Sequence, residues 1–482
     1  MQSKRDQVQA HMFVMGRLTS GLLRADPDAP ESPQGRTNRG VVIGIVIAVL
    51  LSAGSFVLGL LKPGTKDSWR AAGTLVVNKD TGSRYLYLEG RLRPVRNYAS
   101  ARLLAGADMK AVAVGSKSLS GTPHGAPIGI SGAPDALPGS ADLDTGPWQV
   151  CSGSETGRTG TTVAVGLPAD ATGLPTDQAM LVTGPDKADY LVWRGSKLLL
   201  DEETRAREAL GYGSVSRLPV SAAFLNALPS GPDLRPPNVS GKGKKGPALG
   251  GEETRVGQVF RVTVPGSADR YYLLRQEGLV PLTATGAALV LGDPETREKV
   301  YVGGSADVVT LGADALSGRL APGAGTGADE ANLPAKPPEA VALGEDRTVC
   351  IRVQPGDRGP RISVALTGTG TLGPASQAPP EGLTPACMPV GTISVRPGGG
   401  SLVRALGASG STVGTTVYLV TDTGMKYRVG TAEGLAALGY GEGQARGLPA
   451  PLLAMLPTGP DLTKEAAALG RNTNTTPRCA RT

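Results

Sequence analysis

A run of 21 residues without a charge, Val41 to Leu61 (VVIGIVIAVLLSAGSFVLGLL), constrains this chain more than any other feature. At about 1.5 Å rise per residue, a helix of that length crosses the roughly 30 Å hydrocarbon layer of a bilayer and satisfies its own backbone there. The run exceeds the apolar stretch of a secretory leader, a mostly polar arm precedes it, and Lys62-Pro63-Gly64 follows where a cleavable leader carries small residues. The segment is therefore read as a permanent single span. Lys4, Arg5, Arg17, Arg24, Arg36 and Arg39 precede it, whereas only Lys62, Lys66 and Arg70 follow closely, a bias that places residues 1–40 in the cytoplasm. The remainder of the chain is then an extracytoplasmic domain.

Cysteine usage agrees with that topology. Cys151, Cys350, Cys387 and Cys479 all follow the span, and an even count on an oxidising side points to disulfides. No pair shows C-x-x-C spacing and His124 is the only imidazole after the span, which leaves a zinc site poorly supplied. Three connectivities remain open. Pairing like with like is favoured, since Cys151 and Cys350 lie in strand-like stretches (PWQVC, RTVCIRV) while Cys387 and Cys479 lie in Pro- and Arg-rich segments.

Before the span, Ser3-Lys4-Arg5-Asp6 is a capping box, and Val8, Met12, Met15, Leu18 and Leu22 recur at helical spacing. The pattern predicts a short amphipathic helix over 5–23, fit either to rest on lipid headgroups or to dock a partner. DPDAPESPQG, Asp26 to Gly35, reads as a flexible link to the membrane.

Beyond the span the chain repeats itself. Four stretches share a Tyr-Leu strand, a turn with Gly and a second apolar strand, beginning at Tyr85, Tyr190, Tyr272 and Tyr418, and each predicts a β-hairpin. Leu210-Gly-Tyr-Gly213 and Leu228-Pro-Ser-Gly-Pro-Asp-Leu234 return as Leu438-Gly-Tyr-Gly441 and Leu456-Pro-Thr-Gly-Pro-Asp-Leu462. Short apolar helical runs lie between, so each unit is an α+β module. The expected layout is module 1 at 70–118, module 2 at 178–235, module 3 at 256–315 and module 4 at 401–465. Short-strand stretches at 119–177 and 340–400 predict one central β-domain assembled from separated pieces, while 236–255 and 321–338 read as linkers with solvated lysines and 466–482 as a tail.

Candidate chemistry is sparse. The chain has 4 Phe, 3 Trp, 11 Tyr and 2 His, too few for nucleic-acid stacking platforms or His-rich metal sites, and its net +7 is spread without a dense basic block. A nucleotide-binding loop of the form G-x-x-x-x-G-K-[ST] is absent from the sequence; the nearest fragment, Gly241-Lys-Gly-Lys-Lys245, has Pro236 where the first Gly belongs. His124 in GTPHGAPIG is the only base available for a serine triad, and reads as a loop histidine. Glu202-Glu203 and Glu252-Glu253 read as solvated or helix N-terminal charges. No catalytic, cofactor-binding or metal residue is assigned.

The residues Arg5-x-Gln7-Val8-x-Ala10 before Phe13, the span ending Leu60-Leu61-Lys62-Pro63-Gly64, Trp69, Tyr85-Leu-Tyr-Leu-Glu-Gly-Arg-Leu-Arg-Pro-Val95 and Asn97-Tyr-Ala-Ser-Ala-Arg-Leu-Leu104 resemble the EccB family, the single-pass membrane component of actinobacterial type VII (ESX) secretion systems. The resemblance implies four repeat modules flanking a central β-domain outside the membrane, with a disulfide that maps onto Cys151 and Cys350. It implies assembly with a channel-forming multi-span protein, an FtsK-like motor ATPase, a further membrane subunit and a subtilisin-like mycosin protease, in homo- and hetero-oligomers and without nucleic acid. The expected function is a structural subunit of the secretion complex, with the Val8 to Leu22 face as a docking helix. The alternative is an ATP hydrolase, since several members are labelled ATPases; ATP is the only cofactor the resemblance raises.

Overall fold

The structure, a computed structural model, describes residues 4–24, 33–61, 67–155, 158–167, 171–264, 266–323, 332–344, 346–356, 359–369, 383–407, 410–475 and 479. The chain divides into two compact units, residues 1–70 with 78–81 and 113–121, and residues 71–77, 82–112 and 122–482. In the first, helix Lys4–Arg24 forms the arm and helix Pro33–Leu61 contains the apolar run, of which Thr37–Val57 is long and apolar enough to cross a membrane. Residues 33–35, expected in the flexible link, are helical instead. Pro33 takes the first helical position, where its missing N–H costs nothing. Residues 26–32 and the expected cap Ser3 lie outside the described residues.

Four modules share one plan: a three-stranded antiparallel meander, then a closing strand beside the first. Module 1 uses Leu75–Asn78, Arg84–Leu88, Arg91–Pro94 and Ala111–Val114; module 2 uses Gln178–Thr183, Asp189–Trp193, Ser196–Leu199 and Leu218–Pro219. Module 3 uses Val259–Val262, Arg270–Arg275, Gly278–Leu282 and Val309–Leu311; module 4 uses Gly400–Leu406, Thr412–Thr421, Lys426–Val429 and Arg446–Pro449. In modules 2 to 4 the closing strand runs parallel to the first. The tightest hairpins turn on Glu89-Gly90 and Arg194-Gly195, both residues of each pair having positive φ (51° and 75°, 48° and 78°). Two successive left-handed residues match the strand twist, which explains the glycines in the repeat.

A six-stranded sheet stands between the modules, in the order Thr392–Val395, Arg158–Val165, Trp148–Glu155, Arg347–Gln354, Arg361–Gly368, Ala171–Gly173. Its centre is the antiparallel pair Trp148–Glu155 and Arg347–Gln354, each the first strand of its own hairpin. Trp148, Val150, Ile351 and Val353 bury one face against Phe224 and Leu452, from the short helices Ala222–Asn226 and Ala450–Ala454. The chain thus runs module, hairpin, module, and then repeats that sequence.

The two halves interlock. Helix Tyr98–Ala105 of module 1 packs on helices Ala432–Leu438 and Lys464–Leu469 of module 4, while helix Ala284–Gly292 of module 3 packs on helix Ala206–Ala209 of module 2. The second contact is close enough that a Cβ on Gly292 would lie 2.1 Å from the Ala209 Cβ. The repeated Leu-Gly-Tyr-Gly motif latches both contacts: Tyr440 donates its hydroxyl to the Pro138 carbonyl at 2.8 Å, and Tyr212 donates to the Pro338 carbonyl at 2.7 Å.

Four boundaries are corrected by the structure. Residues 119–147, expected in the central β-domain, run instead along modules 1 and 4, pairing Leu92 with His124, Val95 with Ile128 and Leu143 with Gly400. Residues 236–255 are no linker: Val239 and Leu249 are buried in module 3 and Lys245 pairs with Arg255. Within 321–338, Ala335 and Pro338 accept hydrogen bonds from Ala284 and Tyr212, and 324–331 lie outside the described residues. Likewise 466–469, expected in the tail, complete helix Lys464–Leu469. Gly/Pro-rich sequence has no periodicity to reveal such backbone pairing.

Replacing Tyr212 or Tyr440 by Phe leaves a buried carbonyl unpaired, which costs about 1–2 kcal/mol each. Because the two latches are remote in sequence and separate in contacts, the double variant should show nearly the sum of the single losses in chemical denaturation; a loss from one site only would disprove the equivalence.

Candidate functional site

The strongest constraint in the chain sits at the centre of the sheet. Cys151 and Cys350 are directly opposite in register, their Cα atoms 4.0 Å apart, both fully buried, and they are joined as a disulfide across a separation of 199 residues. The flanking helices Ala222–Asn226 and Ala450–Ala454 touch beneath this pair, so modules 2 and 4 meet under the bridge. The second disulfide, Cys387–Cys479, is of another kind: both residues are exposed, and their Cα atoms are 5.3 Å apart. It ends a strap in which Thr475 donates its N–H and hydroxyl to Asp461 (3.0 and 2.6 Å), the Asp461 N–H donates to the Thr473 carbonyl at 2.8 Å, and Asn474 donates to Thr384 at 2.7 Å. The sequence gives no signal for the strap beyond the cysteines.

The other long repeat, Leu-Pro-x-Gly-Pro-Asp-Leu, is a backbone zipper. In module 2 the Lys197 N–H donates to the Pro229 carbonyl and the Gly231 N–H to the Lys197 carbonyl; in module 4 Lys426, Pro457 and Gly459 repeat the arrangement. Each lysine then turns its ammonium onto carbonyls at the end of the helix that precedes the motif, Lys197 onto Leu225 at 2.9 Å and Lys426 onto Leu453 and Leu456. A cation suits the negative end of a helix, but burial disfavours its charge. Burial lowers both lysines, Lys426 to about 8.

The remaining candidates resolve into structural roles. Lys242, in the fragment nearest to a phosphate loop, donates to Asp293 at 3.0 Å and Glu295 at 2.6 Å. Burial opposes its charge, yet the two carboxylates hold its pKa above the ordinary lysine value, and Glu295 is drawn down to about 2 by Lys242 and Lys299. Gly243, in the same fragment, is required by packing: with φ of 85°, a Cβ there would lie 2.6 Å from the Lys299 carbonyl oxygen. Asp293 itself caps helix Pro294–Lys299. His124 is exposed and meets Tyr85 edge-on, with ring centroids 5.8 Å apart. Glu253 pairs with Lys245, while Glu202 and Glu203 are exposed at the rim of clefts around modules 2 and 3. Among the described residues no group of three His, Cys, Asp or Glu could hold a metal ion.

On the arm helix, Val8, Met12, Met15, Leu18 and Leu22 are all exposed, and so are Phe13 and Val14 beside them. The sequence pattern omitted those two, although an apolar stripe wider than two positions per turn is what a docking or lipid-lying helix presents.

Two outcomes follow from this geometry. Mild reductant should open Cys387–Cys479 at least about tenfold faster than Cys151–Cys350, because a thiolate has to reach the sulfur it attacks; alkylation followed by mass mapping reads the order, and equal rates would refute the distinction. Lys426 is protonated in both folded and unfolded chains below pH about 8, where its buried charge lowers stability. The folded protein releases that proton first, so stability contributed by this group rises with pH from about 8 towards the unfolded value of about 10.4. Relative to Lys426→Met, the wild-type melting temperature should climb across that window, and parallel profiles would remove the assignment.

Known proteins place this architecture. The chain is 29% identical over 511 aligned residues to the ESX-3 secretion system ATPase EccB3 of Mycolicibacterium smegmatis, covering 99% of this chain and 92% of that protein. It is 28% identical to the ESX-1 secretion system ATPase EccB1 of Mycobacterium tuberculosis, covering 97% and 94%. Among solved structures it is similar to a chain of an intact ESX-5 inner membrane complex (TM-score 0.64, 22% identity, covering 100% of this chain and 98% of that one), a likeness of fold. It is also similar to the EccB3 dimer from the ESX-3 core complex (TM-score 0.64, 25% identity, covering 82% and 99%). Matched over residues 1–476 by the family described as type VII secretion system ESX-1, transport TM domain B, this chain, with its membrane helix and interlocked repeat modules, belongs to the EccB family.

Proposed function

We propose that the protein is a structural, membrane-anchored subunit of a type VII secretion complex, holding an inner-membrane assembly together through its extracytoplasmic repeat domain. The observation that carries this reading is the interlock: module 1 packs on module 4 and module 3 on module 2, and the repeated Leu-Gly-Tyr-Gly tyrosines hold the segments beside these contacts. The relatives described as an inner membrane complex and as a dimer from a core complex support the same role. Its partners are then the channel-forming multi-span protein, the motor ATPase, the further membrane subunit and the mycosin protease, with further copies of this chain. ATP hydrolysis, carried by the names of relatives, is the second reading. Against it stands Lys242, whose ammonium is committed to two carboxylates. Purified chain should turn over no ATP; turnover that co-purifies with the protein and falls on Lys242→Ala would reinstate the hydrolase.

The arm helix is assigned to docking a cytoplasmic partner. Changing Met15 and Leu18 to Asp puts charge into a desolvated contact, at a cost of roughly several kcal/mol, and should release that partner while the protein stays inserted. Wild-type recovery of motor and channel subunits with the double variant, after extraction in mild detergent, would assign the stripe to lipid instead. The N-in topology is tested separately, since a reporter enzyme active only in the cytoplasm and fused after Thr482 should be silent.

A further inference from the structure

Among the four modules, the net positive charge is concentrated in module 1. Residues 70–118 hold nine Lys/Arg against three Asp/Glu, a net +6 within a chain whose total is +7. Module 2 (178–235) holds seven of each sign, module 4 (401–465) five of each, and module 3 (256–315) five basic against seven acidic. A shared fold does not require the difference, because the four meanders are built alike.

Arg84, Arg91, Arg96 and Lys110 are exposed, while Arg93 is half-exposed and donates its Nε–H to the Ala126 carbonyl at 3.2 Å. Arg84, Arg91 and Arg93 occupy one face of the hairpin, since the register pairs Leu86 with Arg93 and Leu88 with Arg91, and Arg84 lies two residues before Leu86. Arg91, Arg96 and Lys110 are exposed and have no side-chain hydrogen bond or ion pair among the described residues; Arg84 meets only the exposed Asp135, at 2.8 Å. Basic side chains that outnumber the carboxylates around them raise a local positive potential, which attracts an anionic surface.

Sequence position says which surface lies within reach. Five residues lie between the end of the membrane helix at Leu61 and the helical turn that starts at Asp67, so the chain can separate module 1 from the bilayer end of its own anchor by at most roughly 20 Å. Lys62 and Lys66 lie in that stretch and extend the basic run. We propose that module 1 docks on anionic phospholipid headgroups of the leaflet from which the helix emerges, with Arg84, Arg91, Arg93, Arg96 and Lys110 as the contact set. Tethering makes the encounter intramolecular, so a weak electrostatic attraction suffices to hold the module down.

The test uses the full chain in nanodiscs of phosphatidylcholine alone or with about a third phosphatidylglycerol, reading arginine modification by phenylglyoxal residue by residue. Arg91 and Arg96 should react at least about threefold more slowly in the anionic discs, Arg270 of module 3 should be indifferent, and about 1 M salt should abolish the protection. The variant Arg84→Gln/Arg91→Gln/Arg93→Gln, which alters exposed or half-exposed side chains only, should lose most of the lipid-dependent protection at Arg96. Equal rates in the two discs would overturn the proposal. So would protection that survives high salt or persists in a zwitterionic detergent micelle, either of which would report a protein neighbour in place of lipid.

Discussion

Everything in the ectodomain depends on one antiparallel pair, Trp148–Glu155 against Arg347–Gln354, made between strands about 200 residues apart and sealed by Cys151–Cys350. A module of about 60 residues buries too little surface to be comfortably stable alone, and the pair is what brings four of them together. Closing so long a loop covalently removes chain entropy from the unfolded state worth roughly 5 kcal/mol, a large fraction of the stability of an ordinary domain. The bridge acts where it is most useful because its opposite face is the shared core: Trp148 and Ile351 rest on Phe224 from module 2 and Leu452 from module 4, so the sheet and two modules bury one another's apolar surface.

The repeat motifs take their meaning from this arrangement. Leu-Gly-Tyr-Gly recurs where a tyrosine reaches a distant proline carbonyl, and Leu-Pro-x-Gly-Pro-Asp-Leu recurs where, within its own module, a lysine closes the end of a short helix. The two lysines illustrate how far equivalence extends. Lys426 is deeply buried and caps two carbonyls, while Lys197 is half-buried and caps one. Closely similar sequence therefore gives the same backbone path, and the surroundings decide how unfavourable the charge is.

Much of this was legible in the sequence because it rests on local pattern. The span from Val41 declares itself by length and lack of charge, the hairpins by Tyr-Leu runs around Gly turns, and the arm helix by spacing from Val8 to Leu22. What escaped is whatever depends on distant partners. Residues 119–147 and 236–255 carry Gly and Pro without period, so the pairing of His124 beside Leu92, or of Lys242 with Asp293 and Glu295, has no local signature. Charge misled for a related reason: summed over the chain it is spread out, and only module boundaries reveal that module 1 is the basic one of the four. Of the candidate site residues, the cysteines were accessible to reasoning because oxidation, spacing and strand context all act on the residue itself.

The interlock also settles how load passes through the ectodomain. Were the modules strung in order, a pull between membrane anchor and C-terminus would reach the last module only through each one before it, and the weakest junction would yield first. Module 1 is instead packed directly on module 4: Ala99 and Leu103 share a core with Leu435, Leu438 and Ala467, and Gly129 donates its N–H to the Ala467 carbonyl at 2.8 Å. The first and last modules are thus joined face to face, with modules 2 and 3 joined to each other in the same manner and the buried disulfide tying the two halves. Force entering at module 1 therefore has two routes, a helix interface and a covalent bridge. In this chain that redundancy follows from which helix meets which rather than from the strength of any single contact.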